Sequence, residues 1–156
     1  MSAPPRRGPL RRVRVFTDGA ARGNPGPAGA GVHLEDEHGA AVDEAFAFLG
    51  EATNNVAEYR ALLLGLERAR KLGVQEVEIR SDSELVVRQL TGEYRVRNAD
   101  LLELYRQVVE LERAFQRVEY VHIPRAQNRA ADRLANRAID LTTDAEGAPE
   151  GPDSTT

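Results

Sequence analysis

The chain contains no cysteine. Disulfides, thiolate nucleophiles and thiolate zinc sites are thereby excluded together, and a cytoplasmic location is expected. Long apolar runs are missing as well. No stretch approaches the roughly 18 unbroken apolar residues that a membrane-spanning helix requires, so no membrane partner is expected. The first residues are basic and proline-rich without an apolar stretch, and do not read as a secretory signal. Histidine is sparse, three in 156 residues, so any bound metal would depend mainly on oxygen. Excess positive charge is lacking too. The formal net charge is −4. Five arginines (6, 7, 11, 12 and 14) crowd the first fourteen residues, and four acids but no base occupy 141–156. The stretch 15–140 holds 16 basic and 21 acidic side chains, a balance of −5. A polyanion is not drawn to such a chain by net charge alone. Either the acids gather in one place and are neutralised by cations, or nucleic acid is not the partner.

What is present fits one domain. Residues 1–11 lack apolar periodicity and are expected to form a disordered basic arm. Residues 142–156 read as a disordered acidic tail, leaving 12–141 as the folded domain. Arg12–Asp18 alternates like a strand. A glycine-proline turn (G-N-P-G-P) leads to a second strand near Gly31–Glu35, and D-E-H-G turns into a third over Ala41–Phe48. Thr53-Asn54-Asn55 opens a helix running to about Leu72 and closed by Gly73. Val77–Ser81 is a short apolar strand, and Asp82 to Leu90 a short helix. Ala99–Phe115 carries a helical apolar stripe. Val118–Ile123 is a fifth strand, broken by Pro124, and Gln127–Leu141 is the last helix. The order β-β-β-α-β-α-α-β-α predicts an α/β fold with a mixed five-stranded sheet. Three strands joined by turns are antiparallel, and two later strands separated by helices add in parallel.

Asp18 ends the first predicted strand and Asp82 follows the fourth. If those strands are neighbours, the two carboxylates face each other across an inter-strand spacing of about 5 Å. Glu58 and Asp132 fall in the early turns of the first and last helices. Four converging carboxylates repel unless a cation joins them, and oxygen ligands imply Mg²⁺ or Mn²⁺. Each acid also has an ordinary reading. Asp18-Gly19 is a turn signal. Glu58 fits a capping box begun by Asn55. Asp82 could cap a helix, and Asp132 could complement a helix dipole.

The joint pattern is more specific than its parts. F-T-D-G-A-A-R-G-N-P-G-P-A-G-A-G, T-N-N-V-A-E-Y-R-A-L, S-D-S-E-L-V-V and N-R-A-A-D-R-L-A-N occur in that order over residues 12–141. In this the chain resembles the type 1 ribonuclease H family. The resemblance implies a ribonuclease H-like fold and endonucleolytic cleavage of the RNA strand of RNA–DNA hybrids, leaving 5′-phosphate and 3′-hydroxyl ends. It places a catalytic, metal-binding quartet on Asp18, Glu58, Asp82 and Asp132 with two divalent ions. Asp18 would bridge the ions, Glu58 and Asp82 would complete one site, and Asp132 the other. It also implies hybrid contacts at Asn24, Thr53, Asn54 and Asn55, whose groups suit phosphates, sugar hydroxyls and minor-groove edges. Asn24 also reads as a turn residue, and Asn54 and Asn55 as helix caps. Gly19 is expected to let the backbone approach the substrate closely. His122 lies at the family offset before Asp132 for a proton-shuttling histidine. Arg125, past Pro124, is its rival as a phosphate or leaving-group contact.

The family pattern is not complete here. The basic, tryptophan-rich protrusion of many relatives is reduced to T-G-E-Y-R-V-R-N, which leaves Tyr94, Arg95 and Arg97 for the DNA strand. A family glutamine two residues after the third acid is Glu84, and a carboxylate cannot donate the amide's hydrogen bond. The pattern is that of a short form with no hybrid-binding domain, expected to act as a monomer. The arginine arm is a candidate source of non-specific affinity. Two rival readings are a non-catalytic hybrid-binding module and a related nuclease that also cuts double-stranded RNA.

Overall fold

The structure is a computed structural model that describes residues 10–147, with side chains described through Thr142. Its elements are β1 (Arg12–Ala21), β2 (Gly26–Glu35), β3 (Ala41–Ala52), α1 (Asn54–Lys71), β4 (Glu76–Ser81), α2 (Glu84–Leu90), α3 (Ala99–Glu112), β5 (Arg117–His122), a 3₁₀ turn (Arg125–Gln127) and α4 (Arg129–Gly147). The strands form one five-stranded sheet in the order β3-β2-β1-β4-β5. β1, β2 and β3 pair antiparallel, whereas β1–β4 and β4–β5 pair parallel. The mixed sheet expected from the sequence is therefore the observed one.

Period-2 alternation in the strands builds the main core. Val13, Val15, Val32, Leu34, Val77 and Ile79 belong to one buried cluster with Tyr59, Leu62, Leu66 and Ala69 of α1 and Leu101 and Val108 of α3. Helix α1 is bounded by local chemistry at both ends. The Thr53 hydroxyl accepts from the Val56 amide at 3.2 Å, and Gly73 beyond the last turn adopts φ +75°, a conformation that glycine tolerates best. The opposite face of the sheet receives α4. A Cβ on Gly29 or Gly31 would lie 2.3 Å from the carbonyl oxygen of Ala135 or Ala131 respectively. These β2 glycines and the buried alanines 131, 135 and 138 of α4 let helix and strand pack backbone to backbone.

Several boundaries differ from the sequence expectation. β1 continues past Asp18 to Ala21, and β2 starts at Gly26 rather than near Gly31. Both extensions are glycine- and alanine-rich, so they carry little hydrophobic alternation to read. β3 runs to Ala52, past a register irregularity opposite Ala28 and Gly29. The last helix begins at Arg129, after the separate 3₁₀ turn, and continues to Gly147 rather than stopping at Leu141. Residues 142–147 thus belong to a helix and not to the expected tail. Their polar composition hides them from a periodicity argument, although the Thr142 hydroxyl still donates to the Ala138 carbonyl at 3.2 Å. The expected arm is also shorter. Leu10 packs against the core, and the Arg11 carbonyl accepts from the amides of Gln75 and Glu76 at 2.9 and 3.1 Å. The remainder of the arm, 1–9 with Arg6 and Arg7, and of the tail, 148–156, lies outside the described residues. No helix among the described residues is long and apolar enough to cross a membrane.

Candidate active site

Strand register creates the centre. Thr17 of β1 lies opposite Ser81 at the end of β4, so Asp18 and Asp82 occupy the next rung, where β4 has ended. Asp18 lies inside β1 rather than at its end, still paired with Gly31 of β2. It is only 5% exposed. Asp82 precedes α2, and the N-cap of that helix is Ser83, whose hydroxyl accepts from Val86 N at 3.3 Å. The capping alternative for Asp82 is thereby set aside.

Helix α1 contributes Glu58. Its Oε1 accepts from the Gly19 amide at 3.0 Å, and Thr53 is the N-cap, so Glu58 does not close the helix end. A Cβ on Gly19 would lie 2.2 Å from the carbonyl carbon of Ala57. What the missing side chain admits is therefore α1. Helix α4 brings Asp132. Its amide donates to the Asn128 carbonyl at 3.1 Å, while the buried Asn128 side chain donates to the Thr17 carbonyl at 2.9 Å. One asparagine thus ties the start of α4 to the strand that carries Asp18.

Oxygen atoms of Asp18, Glu58 and Asp82 lie within 4.8 Å of one another. Asp132 is not in that tight group but lines the same cleft, close enough for its carboxyl group to raise Asp18 further. Burial, then the charges of Glu58 and Asp82, then the nearby Asp132 carboxyl group push Asp18 up to about 9. Burial pushes Glu58 up to about 8, with Asp82 and Asp132 adding to the rise and the Gly19 amide and Arg125 opposing it. Without a cation, burial and then the repulsion of neighbouring carboxylates favour the protonated forms of Asp18 and Glu58 at neutral pH. A hard divalent cation fits this donor set. Every ligand atom is oxygen, and the ion would replace the protons that otherwise relieve the repulsion.

The carboxyl groups line an open cleft of about 520 Å³. Of the expected substrate residues, Gly19, Asn54 and Asn55 line it, as does Arg125. Asn24 and Thr53 do not. Asn24 Oδ1 accepts from the Asn54 amide at 3.1 Å, and Asn54 Oδ1 accepts from the Ala21 amide at 3.1 Å. These bonds fasten the glycine-proline loop to the start of α1. His122 ends β5 opposite Ser81 and is exposed, outside the cleft lining. Arg95 lines a separate depression with Tyr94 between α2 and α3, and Arg97 lines neither. Glu84 accepts from Arg88 within α2 at 2.8 Å.

Two cleft residues escaped the sequence reading. Asn136 donates from Nδ2 to the Asp132 carbonyl and to Asp132 Oδ1, at 3.0 and 3.2 Å. Arg22 donates to Asn136 Oδ1 at 3.2 Å and pairs with Asp140 at 2.7 Å. The four-residue spacing of Asp132 and Asn136 on a helix was a legible signal. Arg22, remote in sequence, offered none.

A sheet whose adjoining parallel strands bring two acids to one rung, with two helices each adding another, defines a ribonuclease H-like domain with an acidic centre. Comparison with known proteins agrees. A family model described as "Reverse transcriptase-like" matches residues 16–138. The chain is 46% identical over 142 residues to the bifunctional protein Rv2228c of Mycobacterium tuberculosis. It is 45% identical over 129 residues to ribonuclease HI of Halobacterium salinarum. These alignments cover 90% and 83% of this chain, but the chain spans only 39% and 65% of those relatives' lengths. The crystal structure of the Halobacterium enzyme superposes with a TM-score of 0.82 at 45% identity, covering 83% of this chain and 98% of that one. LC11-RNase H1, solved in complex with an RNA/DNA hybrid, superposes with a TM-score of 0.81 at 45% identity, covering 84% and 99%. The chain belongs to the type 1 ribonuclease H family.

Proposed function

We propose that this chain hydrolyses the RNA strand of RNA–DNA hybrids endonucleolytically, leaving 5′-phosphate and 3′-hydroxyl ends. The observation that carries the reading is the meeting of Asp18, Glu58 and Asp82 within 4.8 Å in an open cleft. A module that only bound nucleic acid would gain nothing from concentrated carboxylates beside phosphates. The family relationship and the hybrid bound to LC11-RNase H1 support the choice of substrate.

Asp18, Glu58, Asp82 and Asp132 would hold two Mg²⁺ ions, or Mn²⁺ in their place. Such ions supply Lewis acidity for activating water and stabilising the leaving oxygen of a phosphodiester. The chain's own groups do the rest. Asn54 and Asn55 at the start of α1 present amides to the sugar-phosphate backbone, where a 2′-hydroxyl marks RNA. Arg125, inside the cleft, is better placed than His122 to meet a phosphate oxygen. Tyr94 and Arg95 offer a smaller contact for the DNA strand.

The test is cleavage of end-labelled hybrid, double-stranded RNA and double-stranded DNA with Mg²⁺, Mn²⁺ or chelator. Metal-dependent cuts confined to the RNA of the hybrid are expected. Equal cutting of double-stranded RNA would broaden the substrate class, and no metal-dependent cutting of any substrate would overturn the enzyme reading.

A further inference from the structure

The acidic cleft does not end at the carboxylates. A second cavity of about 630 Å³ shares Asp132 and Asn136 with it and is walled further out by Arg133, Arg137, Asp140 and Leu141. The groove therefore continues from the metal-binding centre along the outside of α4.

Its charge is positive once pairs are removed. Asp140 is held by Arg22 at 2.7 Å, and Asp132 belongs to the carboxyl cluster. Arg129, Arg133 and Arg137 recur every four residues on α4 and are exposed, a rise of about 6 Å per step. None of them forms an ion pair with another described residue, whereas Arg12, Arg14, Arg68, Arg80 and Arg88 are all engaged by acids. A chain with net charge −4 thus keeps a run of unneutralised guanidinium groups beside its acidic cleft.

The neighbouring strand adds aromatic surface. The Arg137 guanidinium lies 5.9 Å from the Phe46 ring centre. Phe46 and Phe48, two apart on the edge strand β3, are 40% and 42% exposed. They lie opposite Gly31 and Gly29, on the sheet face that carries α4. Cations for phosphates next to partly exposed aromatic rings, Phe46 with Arg137 over one face, form a surface suited to single-stranded nucleic acid. A duplex keeps its base faces stacked and could use only the cations.

We propose that a single-stranded continuation of the cut RNA strand, beyond the end of the hybrid, lies in this α4 groove, with phosphates on Arg133 and Arg137 and a base against Phe46. The choice of strand rests on the proposed hydrolysis, since the cut strand is the one that passes the carboxylates. The test measures binding of the full chain by fluorescence anisotropy with chelator present, so no strand is cut. Substrates are a blunt hybrid, hybrids with a ten-nucleotide RNA overhang at the 5′ or 3′ end, and the same hybrid with DNA overhangs. One RNA overhang is expected to tighten binding about tenfold over the blunt hybrid, in line with stacking of a single base. Arg133→Ala/Arg137→Ala should abolish that gain and flatten the salt dependence of overhang binding by about 1.4 in log-log slope, the value for two single-strand phosphate contacts. Arg133→Lys/Arg137→Lys should keep most of the gain, and Phe46→Ala should reduce it. The proposal is overturned if blunt and overhang substrates bind alike, if the gain survives the double alanine variant, or if DNA overhangs alone produce it. Cleavage of the blunt hybrid in Mg²⁺, run in parallel, tests the hydrolase reading separately.

Discussion

The backbone amide of Gly19 donates to Oε1 of Glu58 at 3.0 Å, joining strand β1 to helix α1 across 39 positions of sequence. The bond depends on a helix pressed so closely to the strand that a Cβ on Gly19 would lie 2.2 Å from the Ala57 carbonyl carbon and 2.4 Å from the Glu58 nitrogen. Both neighbours are backbone, so neither can swing aside. Gly19→Ala is expected to destabilise the fold by about 3 kcal/mol, the upper end of ordinary overpacking, and to displace Glu58. Urea unfolding and hybrid cleavage measure the two effects. An unchanged unfolding midpoint would show that α1 can retreat at no cost.

Asp18 touches every other member of the carboxyl cluster electrostatically. Replacing it by asparagine keeps the shape and removes the charge. Asp18→Asn should reduce cleavage by a thousandfold or more, on the order of the several kcal/mol attributed to a positioned metal ion. Hybrid binding should persist. Near-normal turnover by the variant would disqualify Asp18 as a metal ligand.

The raised affinities of Asp18 and Glu58 for protons fix a pH dependence. The unfolded chain releases these protons near pH 4, whereas the metal-free folded protein holds them to about 9 and about 8 respectively. Between those limits the folded state binds more protons, so its stability falls as pH rises. In chelator, the thermal midpoint should decline from about pH 5 to about pH 9, and Asp18→Asn should flatten the decline. Added Mg²⁺ should raise the midpoint more at pH 9 than at pH 6, because binding requires the carboxylates. A midpoint in chelator that climbs over this range would contradict the buried, protonated cluster.

Asn136 and Arg22 form a short relay toward Asp132. The guanidinium of Arg22 occupies the amide oxygen of Asn136, which leaves the amide nitrogen facing Asp132 Oδ1. Asn136→Ala should raise the Mg²⁺ concentration for half-maximal thermal stabilisation by about tenfold or more, as loss of a ligand's supporting bond commonly does. Arg22→Ala should act in the same direction more weakly. If Arg22 works through Asn136, the double variant should match Asn136→Ala alone. Additive effects would instead give Arg22 an independent role.

What the residues alone determine is considerable. Alternation at Val13–Val15, helical spacing at Leu62–Leu66 and the stops at Gly73 and Pro124 prescribe the order of elements, because these are short-range consequences of side-chain periodicity and backbone freedom. The motifs around Asp18, Glu58, Asp82 and Asp132 mark the acids. Tertiary structure decides the rest. That Asp18 and Asp82 share a rung follows from β1 pairing with β4 rather than with another strand. That Gly19, Gly29 and Gly31 are sites of helix contact appears only when α1 and α4 are in place. The Arg22–Asn136 bond and the groove along α4 bring together residues that no local pattern connects, since proximity in a packed fold is set by long-range burial and not by spacing along the chain.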